Sequence, residues 1–375
     1  MSWNLDESQT MLRDSARSFV TEQQPIAVLR KLRDTGDALG YSPEAWKTFA
    51  DLGYAGMLVP EAQGGLGLQL RDAALVAEQL GHTLAPLPYL STAVLAAWVL
   101  NKGQNQALKA QWLPRIAAAD TVLAVAIDEA ARPGAALTTV AKKQGDGYVV
   151  TGHKQLVIDG HAAEALLVAA RDADDANSVV WLWVARDAQG VQTERVAMLD
   201  AHLTARVQLQ NVAVAADGVI ASGQAGAQLL ASVLDVGRLM TAAELVGVGD
   251  EVFARTLEYL KQRKQFGKLI GEFQALQHRA AELYCDLELS RAMVWSGLQA
   301  VDEQAADAPL RVAQAKARAS LSTNRAALEG VQMHGGMGMT DELDFGLFLK
   351  RARALQALFG DAHQMLDRMA QLKGY

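Results

Sequence analysis

The spacing of apolar residues divides the chain into three regions. From residue 5 to about residue 118, apolar side chains recur every three or four positions, which is the period of a helix that packs along one face. From residue 121 to about 220, short apolar or alternating runs stand between clusters of Gly, Asp and Asn, which indicates β-strands joined by turns. From residue 224 the helical period returns for four long segments. This order predicts an α+β fold.

We expect domain boundaries where the period changes. The predicted domains are an N-terminal helical domain over residues 1–118, a middle β domain over 119–222 and a C-terminal four-helix bundle over 223–375. In the middle domain the strands follow one another closely, without intervening helices. That spacing predicts an antiparallel sandwich or barrel.

One helix of the predicted bundle begins at Pro309. Its apolar positions predict a face turned toward the core, and its charged positions predict a face in contact with water. The expected inward residues are Leu310, Ala313, Ala317 and Leu321, and the expected outward residues are Arg311, Lys316 and Arg318.

Composition narrows the classes of function. The 375 residues are 50% hydrophobic and 21% charged, the balance of a globular protein. A formal net charge of -7 argues against a nucleic-acid partner, because binding phosphates requires clustered Lys and Arg. Cys285 is the single cysteine, so we expect neither an intrachain disulfide nor a cysteine metal site.

Targeting and membrane segments are not expected. The N-terminal residues lack a basic stretch followed by an apolar run, so they do not predict a secretory signal. The most apolar window, Val94 to Leu100, is too short to cross a bilayer. These features predict a cytoplasmic protein without a membrane span.

The connection between two helices of the C-terminal region carries the most specific motif. Tyr259 and Leu260 belong to one helical pattern, which Gly267 and Gly271 interrupt before a second pattern begins. The residues in between are Arg263-Lys264-Gln265-Phe266-Gly267, followed by Phe273-Gln274 and then His278. A plain helical hairpin would also place charges here, but it would not require this order of residues.

This stretch resembles the second signature of the acyl-CoA dehydrogenase family. In that family the Arg and Gln contact the FAD bound in the neighbouring subunit. The resemblance therefore implies cofactor contacts for Arg263, Gln265, Phe266 and Gln274.

A glycine-rich motif, Gln332-Met333-His334-Gly335-Gly336-Met337-Gly338, follows an Ala-rich helix. Glycines let a backbone approach a pyrophosphate with amide groups pointing at the anion, whereas a helix cap requires only one glycine. The run resembles the family motif Gln-x-x-Gly-Gly-x-Gly, which also serves the neighbour's FAD. The resemblance assigns that role to Gln332, Gly335 and Gly336. A lone histidine is a poor metal site, so we assign His334 no metal.

The catalytic base of the family has no counterpart here. Acyl-CoA dehydrogenation requires a carboxylate that removes a proton alpha to the thioester while hydride passes to the flavin. At the two positions where family members carry this Glu, the chain has Phe359 and Gly237. Asp361 and Asp235 are the nearby acids, although their position and shorter side chain do not suit a simple replacement. The resemblance also implies that Arg238 lies near the substrate.

Residues that would hold the chain's own flavin also differ from the family. The family pattern Gly-x-Lys-x-Trp-Ile-Thr-Asn-Gly has Leu156 at the Trp position and Ile158 at the Thr position. The family run Thr-Glu-Pro-x-Ala-Gly-Ser-Asp is likewise altered over residues 128–135. Each unpaired flavin atom would cost about 1–3 kcal/mol, so binding should weaken by orders of magnitude.

These differences predict a subunit that completes a partner's site. The chain looks like the small, base-deficient subunit of bacterial heteromeric acyl-CoA dehydrogenases that act on pimeloyl-CoA or steroid side chains. The implied partners are a homologous Glu-bearing subunit, an electron-transfer flavoprotein and an acyl-CoA that is oxidised to its 2,3-enoyl-CoA with a shared FAD. Two alternatives remain open: a self-sufficient homo-oligomer with a non-standard acid, and a flavin-free binding or scaffold protein.

Overall fold

The structure, a computed structural model, describes residues 5–130 and 135–375. Within it the chain forms two compact units. The first, which we call the helical unit, comprises the residues up to Lys31, Leu70–Ala85 and Arg238–Tyr375. The second, the β unit, comprises Leu32–Gln69 and Pro86–Gly237. Along the chain, helices come before and after the strands of the β-sheet, so the predicted α+β fold is confirmed.

The helices follow the regions with a helical period. They are α1 (Glu7–Gln23), α2 (Ile26–Thr35), α3 (Pro43–Asp51), α4 (Leu70–Thr83), α5 (Ala97–Lys102), α6 (Gln106–Ala117), α7 (Gly223–Gln262), α8 (Gln274–Asp302), α9 (Ala308–His334), α10 (Phe345–Ala357) and α11 (Ala362–Leu372). A π-helical segment, Tyr89–Ala96, precedes α5. The last of the four predicted long segments is divided, because a turn over residues 358–361 separates α10 from α11.

The strands of the β unit form one mixed sheet. They are β1 (Leu123–Ala126), β2 (Val140–Gln144), β3 (Gly147–Ile158), β4 (Ala165–Asp172), β5 (Val179–Ala185), β6 (Val191–Ala197), β7 (Leu203–Val214) and β8 (Val219–Ala221). The order is β6-β7-β3-β2-β4-β5-β8, and β1 pairs with β4. Two further short strands, β9 (Lys264–Gln265) and β10 (Lys268–Leu269), form a hairpin in the helical unit.

The sheet departs from the purely antiparallel arrangement that the strand spacing predicts. Both β1 and β2 pair with β4 in parallel, on successive lengths of the same edge. Parallel neighbours need a long connection, and the β2–β3 hairpin supplies it between β1 and β4. The remaining pairs are antiparallel, including β3 with β7, the longest ladder. The inward side chains form an apolar core of Val, Leu and Ala.

The helical unit is held by close helix contacts that glycine permits. A Cβ on Gly81 of α4 would lie 2.4 Å from the Glu244 carbonyl oxygen of α7. A Cβ on Gly247 of α7 would lie 1.9 Å from the Glu78 carbonyl oxygen of α4. Both distances are far shorter than van der Waals contact, so larger residues would separate the two helices. Among the described residues, no helix is both long and apolar enough to cross a membrane.

Helix α9 contains a lysine whose position the sequence analysis predicted wrongly. Lys316 is completely buried, and its Nζ donates to Thr241 Oγ1 at 2.9 Å and to the Leu355 carbonyl. Leu321, which was expected to point inward, is 48% exposed. The helix packs against α8, α10 and α11, so more than one of its faces is covered. A single apolar face turned toward the core therefore does not describe α9.

Candidate functional site

The motif residues 263–274 form a compact turn between α7 and α8. Helix α7 ends at Gln262. Strands β9 and β10 then form a hairpin with a two-residue loop, and a 3-10 turn over Ile270–Glu272 leads into α8. Phe266 and Gly267 occupy the hairpin tip with φ angles of 54° and 80°. Positive φ at both central residues is what a tight hairpin with right-handed strand twist requires. The predicted connection is present, together with a hairpin that the apolar spacing did not indicate.

The side chains at the hairpin end of this turn are exposed. Phe266 is 92% exposed, and its ring lies edge-on to that of Phe273 with centroids 6.2 Å apart. The Lys268 ammonium lies 4.2 Å from the centroid of the Phe273 ring. Arg263 and Gln265 are exposed as well. The turn therefore offers a guanidinium, an amide and an aromatic ring on one surface.

The glycine-rich motif forms the end of α9 and the turn after it. Gly335 has a φ of 62°, and a Cβ placed on Gly335 or Gly336 would meet no atom within 4 Å. Gly338 is packed instead, because a Cβ there would lie 2.6 Å from the Val331 carbonyl oxygen. The backbone at Gly335 and Gly336 is thus open to an approaching group. Gln332 beside them is exposed.

His334 joins the two motifs. Its ring lies between the rings of Tyr259 and Phe345, at centroid distances of 4.1 Å and 4.0 Å. Its Nδ1 lies 2.7 Å from the Gly330 carbonyl oxygen, which can only accept, so Nδ1 carries the proton. Burial lowers the pKa of His334, and the hydrogen bond to Gly330 opposes that shift. The geometry gives His334 a packing role.

These contacts place the predicted FAD-contacting residues at one end of the helical unit. Tyr259, in the last turn of α7, stacks on His334 at the end of α9. Leu260, Ile270 and Met333 belong to one apolar cluster. The end of α7, the start of α8 and the end of α9 therefore meet. The residues gathered there are Arg263, Gln265, Phe266, Gln274, Gln332, Gly335 and Gly336.

The segment that would carry a catalytic Glu carries a buried aromatic side chain. Phe359 is 8% exposed and has a φ of 59°, and Gly360 has a φ of 107°. Arg238 Nε donates to the Phe359 carbonyl oxygen at 3.0 Å, and Lys316 binds the Leu355 carbonyl. Two buried basic side chains thus hold the backbone of this turn. Neither hydrogen bond involves the Phe359 side chain.

The acids near the two Glu positions have distinct surroundings. Asp361 is the N-cap of α11: its carboxylate accepts from the Gln364 backbone amide at 2.9 Å, and the Gln364 side chain accepts from the Asp361 amide at 3.0 Å. This reciprocal capping box explains an acid at this position without catalysis. Asp235 is half-buried on α7, two residues before the buried Gly237.

On the β unit, the stretch that would face a flavin is a bulged part of β3. The pairing of β3 with β7 shifts register between Lys154 and Val157. Leu156 and Asp159 have φ angles of 52° and 56°, in the left-handed region. The half-buried Leu156 and Ile158 side chains are hydrocarbon only. They cannot donate to flavin heteroatoms, so these residues do not fit the ring of a flavin held by this chain.

A buried ion pair lies at the root of the bulge. Lys154 Nζ donates to Glu129 Oε1 at 2.5 Å, to the Ala169 carbonyl at 2.6 Å and to the Ile127 carbonyl at 3.1 Å. Glu129 also accepts from the amide and hydroxyl of Thr138. Burial alone would raise the pKa of Glu129, but Lys154 and Thr138 together lower it to about 2. Residues 131–134 of the altered family run lie outside the described residues.

The helical unit also contains a cluster with the residue types of a metal site. Ligand atoms of Glu78, His82 and Asp250 lie within 4.8 Å of one another. Arg291 donates to both Glu78 and Asp250, so a guanidinium already supplies the positive charge between the two carboxylates. Burial raises the pKa of Asp250, and the nearby positive charge of Arg291 opposes this increase. We assign no metal to this cluster.

Two regions of the chain match one known protein family. Residues 6–120 match the family described as "Acyl-CoA dehydrogenase, N-terminal domain", and residues 224–372 match "Acyl-CoA dehydrogenase, C-terminal domain". The chain is 30% identical to "Acyl-CoA dehydrogenase IpdE2" of Mycobacterium tuberculosis, over 97% of this chain and 96% of the relative.

Solved structures agree with this comparison. The ChsE4-ChsE5 complex from Mycobacterium tuberculosis superposes with a TM-score of 0.91 at 26% identity, over 100% of both chains. A variant of the Tcur3481-Tcur3483 steroid ACAD superposes with a TM-score of 0.89 at 28% identity, over 98% of both chains.

Proposed function

Because this chain belongs to the acyl-CoA dehydrogenase family, whose members oxidise acyl-CoA with FAD, we propose that it is the base-deficient subunit of a heteromeric member. The observation that carries this proposal is the contrast between two sets of residues. The residues assigned to a neighbour's FAD are exposed together at one end of the helical unit. The positions for a base and for the chain's own flavin ring hold Phe359, Gly237, Leu156 and Ile158.

The chain's own site lacks the group that would start the reaction. Removal of the proton alpha to a thioester needs a base that can reach the substrate, and a phenyl ring cannot accept a proton. Asp361 caps α11, so moving its carboxylate toward a substrate would leave the Gln364 amide without its acceptor. We therefore place the catalytic carboxylate on a homologous partner subunit.

The exposed set suits the phosphate end of a dinucleotide cofactor. The Arg263 guanidinium can make charge-assisted hydrogen bonds to a phosphate. The open backbone at Gly335 and Gly336 allows amide groups to approach the same anion, and Gln332 adds a side-chain amide. The exposed ring of Phe266 can cover a flat or apolar part of the cofactor. FAD bound there would accept the hydride and then pass electrons to an electron-transfer flavoprotein.

The relatives support both the heteromeric assembly and a substrate class. One solved neighbour is a complex of ChsE4 and ChsE5, and another is a steroid ACAD. By analogy we propose a bulky acyl-CoA, such as one with a steroid side chain, as the substrate. Similarity to these two proteins supports this substrate class.

Reconstitution with a Glu-bearing homologue from the same genome tests the proposal. The chain alone should bind little FAD and should not reduce a dye with any acyl-CoA. The complex should bind FAD and should reduce the dye. In the complex, Arg263→Ala should weaken FAD binding about 10- to 150-fold, since a hydrogen bond to a charged group contributes about 1.5–3 kcal/mol.

Lys264→Ala is the matched control, because Lys264 is an equally exposed cation on the same hairpin. It should leave FAD binding nearly unchanged. Equal effects of the two variants would mean that Arg263 contributes only a general charge attraction and no specific contact. One FAD per isolated chain, together with turnover, would establish the self-sufficient alternative instead.

A further inference from the structure

The glycine-rich turn has little apolar burial to hold it in place. From Gly335 to Glu342 only Gly338 is buried, and Met339 is 78% exposed. A segment with so few buried contacts has no apolar reason to keep one conformation. Its start is held by His334, packed between Tyr259 and Phe345. Its end therefore needs a separate restraint.

Two arginines from distant parts of the chain bind that end. Arg30 of α2 donates through Nε to Asp344 Oδ1 at 2.9 Å and pairs through Nη1 with Asp341 Oδ2 at 3.1 Å. Its Nη2 also donates to the Leu343 carbonyl at 3.4 Å. Arg255 of α7 donates through Nη1 to the other oxygen, Asp344 Oδ2, at 2.7 Å. Both carboxylate oxygens of Asp344 are thus used by guanidinium groups.

Asp344 gives up its usual local role to make these contacts. It occupies the N-cap of α10, where aspartate ordinarily accepts from a backbone amide of the first helical turn. No such side-chain bond is present at this helix start. Arg255 in turn is anchored by Glu251 Oε1 at 2.9 Å and lies over the Phe348 ring at 5.1 Å. The carboxylate therefore ties the end of the turn to α2 and α7.

We propose that Arg30 is a positioning residue for the cofactor: with Arg255 it holds Asp344 and thereby sets the conformation in which Gly335 and Gly336 present their backbone. This inference rests on the proposed function of the glycine-rich turn. Arg30 does not touch the cofactor in this scheme. It acts by removing alternative conformations of the turn, so that binding does not have to order the segment.

Hydrogen exchange on the isolated chain gives a readout that needs neither FAD nor a partner. In Arg30→Gln, amides of residues 335–343 should exchange at least about fivefold faster, since losing one or two kcal/mol of restraint changes an equilibrium by about 5- to 30-fold. Amides of the β2–β3 hairpin in the β unit should not change. Unchanged exchange across residues 335–343 would overturn the inference.

In the reconstituted complex, Arg30→Gln should weaken FAD binding about 5- to 30-fold, and Arg30→Lys, which keeps the charge, should recover part of the loss. Arg13→Gln is the control, because Arg13 pairs with the adjacent Asp14 on α1. If Arg30→Gln does not fold, Asp344→Asn removes the same charge pair without changing size.

The Arg263→Ala complex separates two kinds of failure. If Arg263→Ala weakens FAD binding and Arg30→Gln and Asp344→Asn do not, the positioning role is wrong and the proposed function stands. If none of these variants affects FAD binding, the proposed function fails, and the positioning role fails with it.

Discussion

Replacing Lys154 by methionine should destabilise the β unit strongly, because this change strands a buried carboxylate. The side chains of Lys154 and Glu129 are 0% and 3% exposed. Lys154→Met removes the ammonium from Glu129 and leaves the Ile127 and Ala169 carbonyls without their donor. Breaking a buried pair by removing one partner costs about 3–5 kcal/mol. Thr138 still donates to Glu129, so we expect about 3 kcal/mol, the lower end of that range.

Urea unfolding followed by tryptophan fluorescence measures this loss. Most tryptophans of the chain report on the β unit; those within it are Trp46, Trp98, Trp112, Trp181 and Trp183. Lys142→Met is the control, because Lys142 is exposed on the neighbouring β2 and its loss should stay within about 0.5 kcal/mol. Adding Glu129→Gln to Lys154→Met should recover part of the loss, as expected for residues in direct contact.

Acid should reduce the difference between the wild type and Lys154→Met. The pKa of Glu129 is lowered to about 2 in the folded chain, against a value near 4.5 when unfolded. The stabilisation from this group is therefore complete above about pH 4.5 and is lost as the pH falls toward 2. In Lys154→Met the unpaired Glu129 carboxylate can be protonated at low pH, which removes the cost of a buried charge. A loss below about 1 kcal/mol at pH 7, or a difference that does not shrink by pH 3.5, would refute this account of the ion pair.

Three further predictions concern the turn between α10 and α11 and its supports. Asp361→Ala should cost about 1 kcal/mol, the value of an N-cap, and Asp361→Asn should cost much less, as thermal melting would show; dye-reduction assays of the reconstituted complex should find activity retained in both. Phe359→Glu should not confer dye reduction on the isolated chain, since the flavin contacts are still missing, and turnover by this variant alone would contradict that. Burial lowers the pKa of Lys316 to about 7, so the unfolded chain binds more protons between about pH 7 and 10 and stability should rise with pH across that window. Melting temperatures of wild type and Lys316→Met at pH 6.5 and 9.5 should therefore diverge in favour of wild type as the pH rises.

Apolar spacing alone was enough to predict the order of helical and strand regions along the chain. Amphipathic helices and strands differ in period over a few residues, so the type of element depends on near neighbours. The change from helical to strand spacing near residue 120 and back near 223 agrees with the end of α6 at Ala117 and the start of α7 at Gly223. The order of residues in the motifs identified the family, because a run such as Arg263 to Gly267 can be recognised in the sequence without knowledge of any contact.

The partners of polar side chains were decided by the tertiary structure. Lys316 was expected to face water, yet its hydroxyl partner Thr241 lies 75 positions away in sequence. Arg30 and Asp344 are 314 positions apart, and neither has a local signal that marks the pair. The parallel pairing of β1 and β2 with β4 also depends on how the chain returns across the sheet.

The physical reason is the range over which each effect acts. Burying an apolar face favours one period wherever the segment ends up, so a sequence of about ten residues determines an element. The burial of a charge depends on whether several distant donors or acceptors converge on it, and only the folded chain brings them together. The sequence thus determined the family and the absence of carboxylates at Phe359 and Gly237. Tertiary structure decided that Asp361 caps a helix, that Lys316 supports the neighbouring turn and that Arg30 restrains the glycine-rich one.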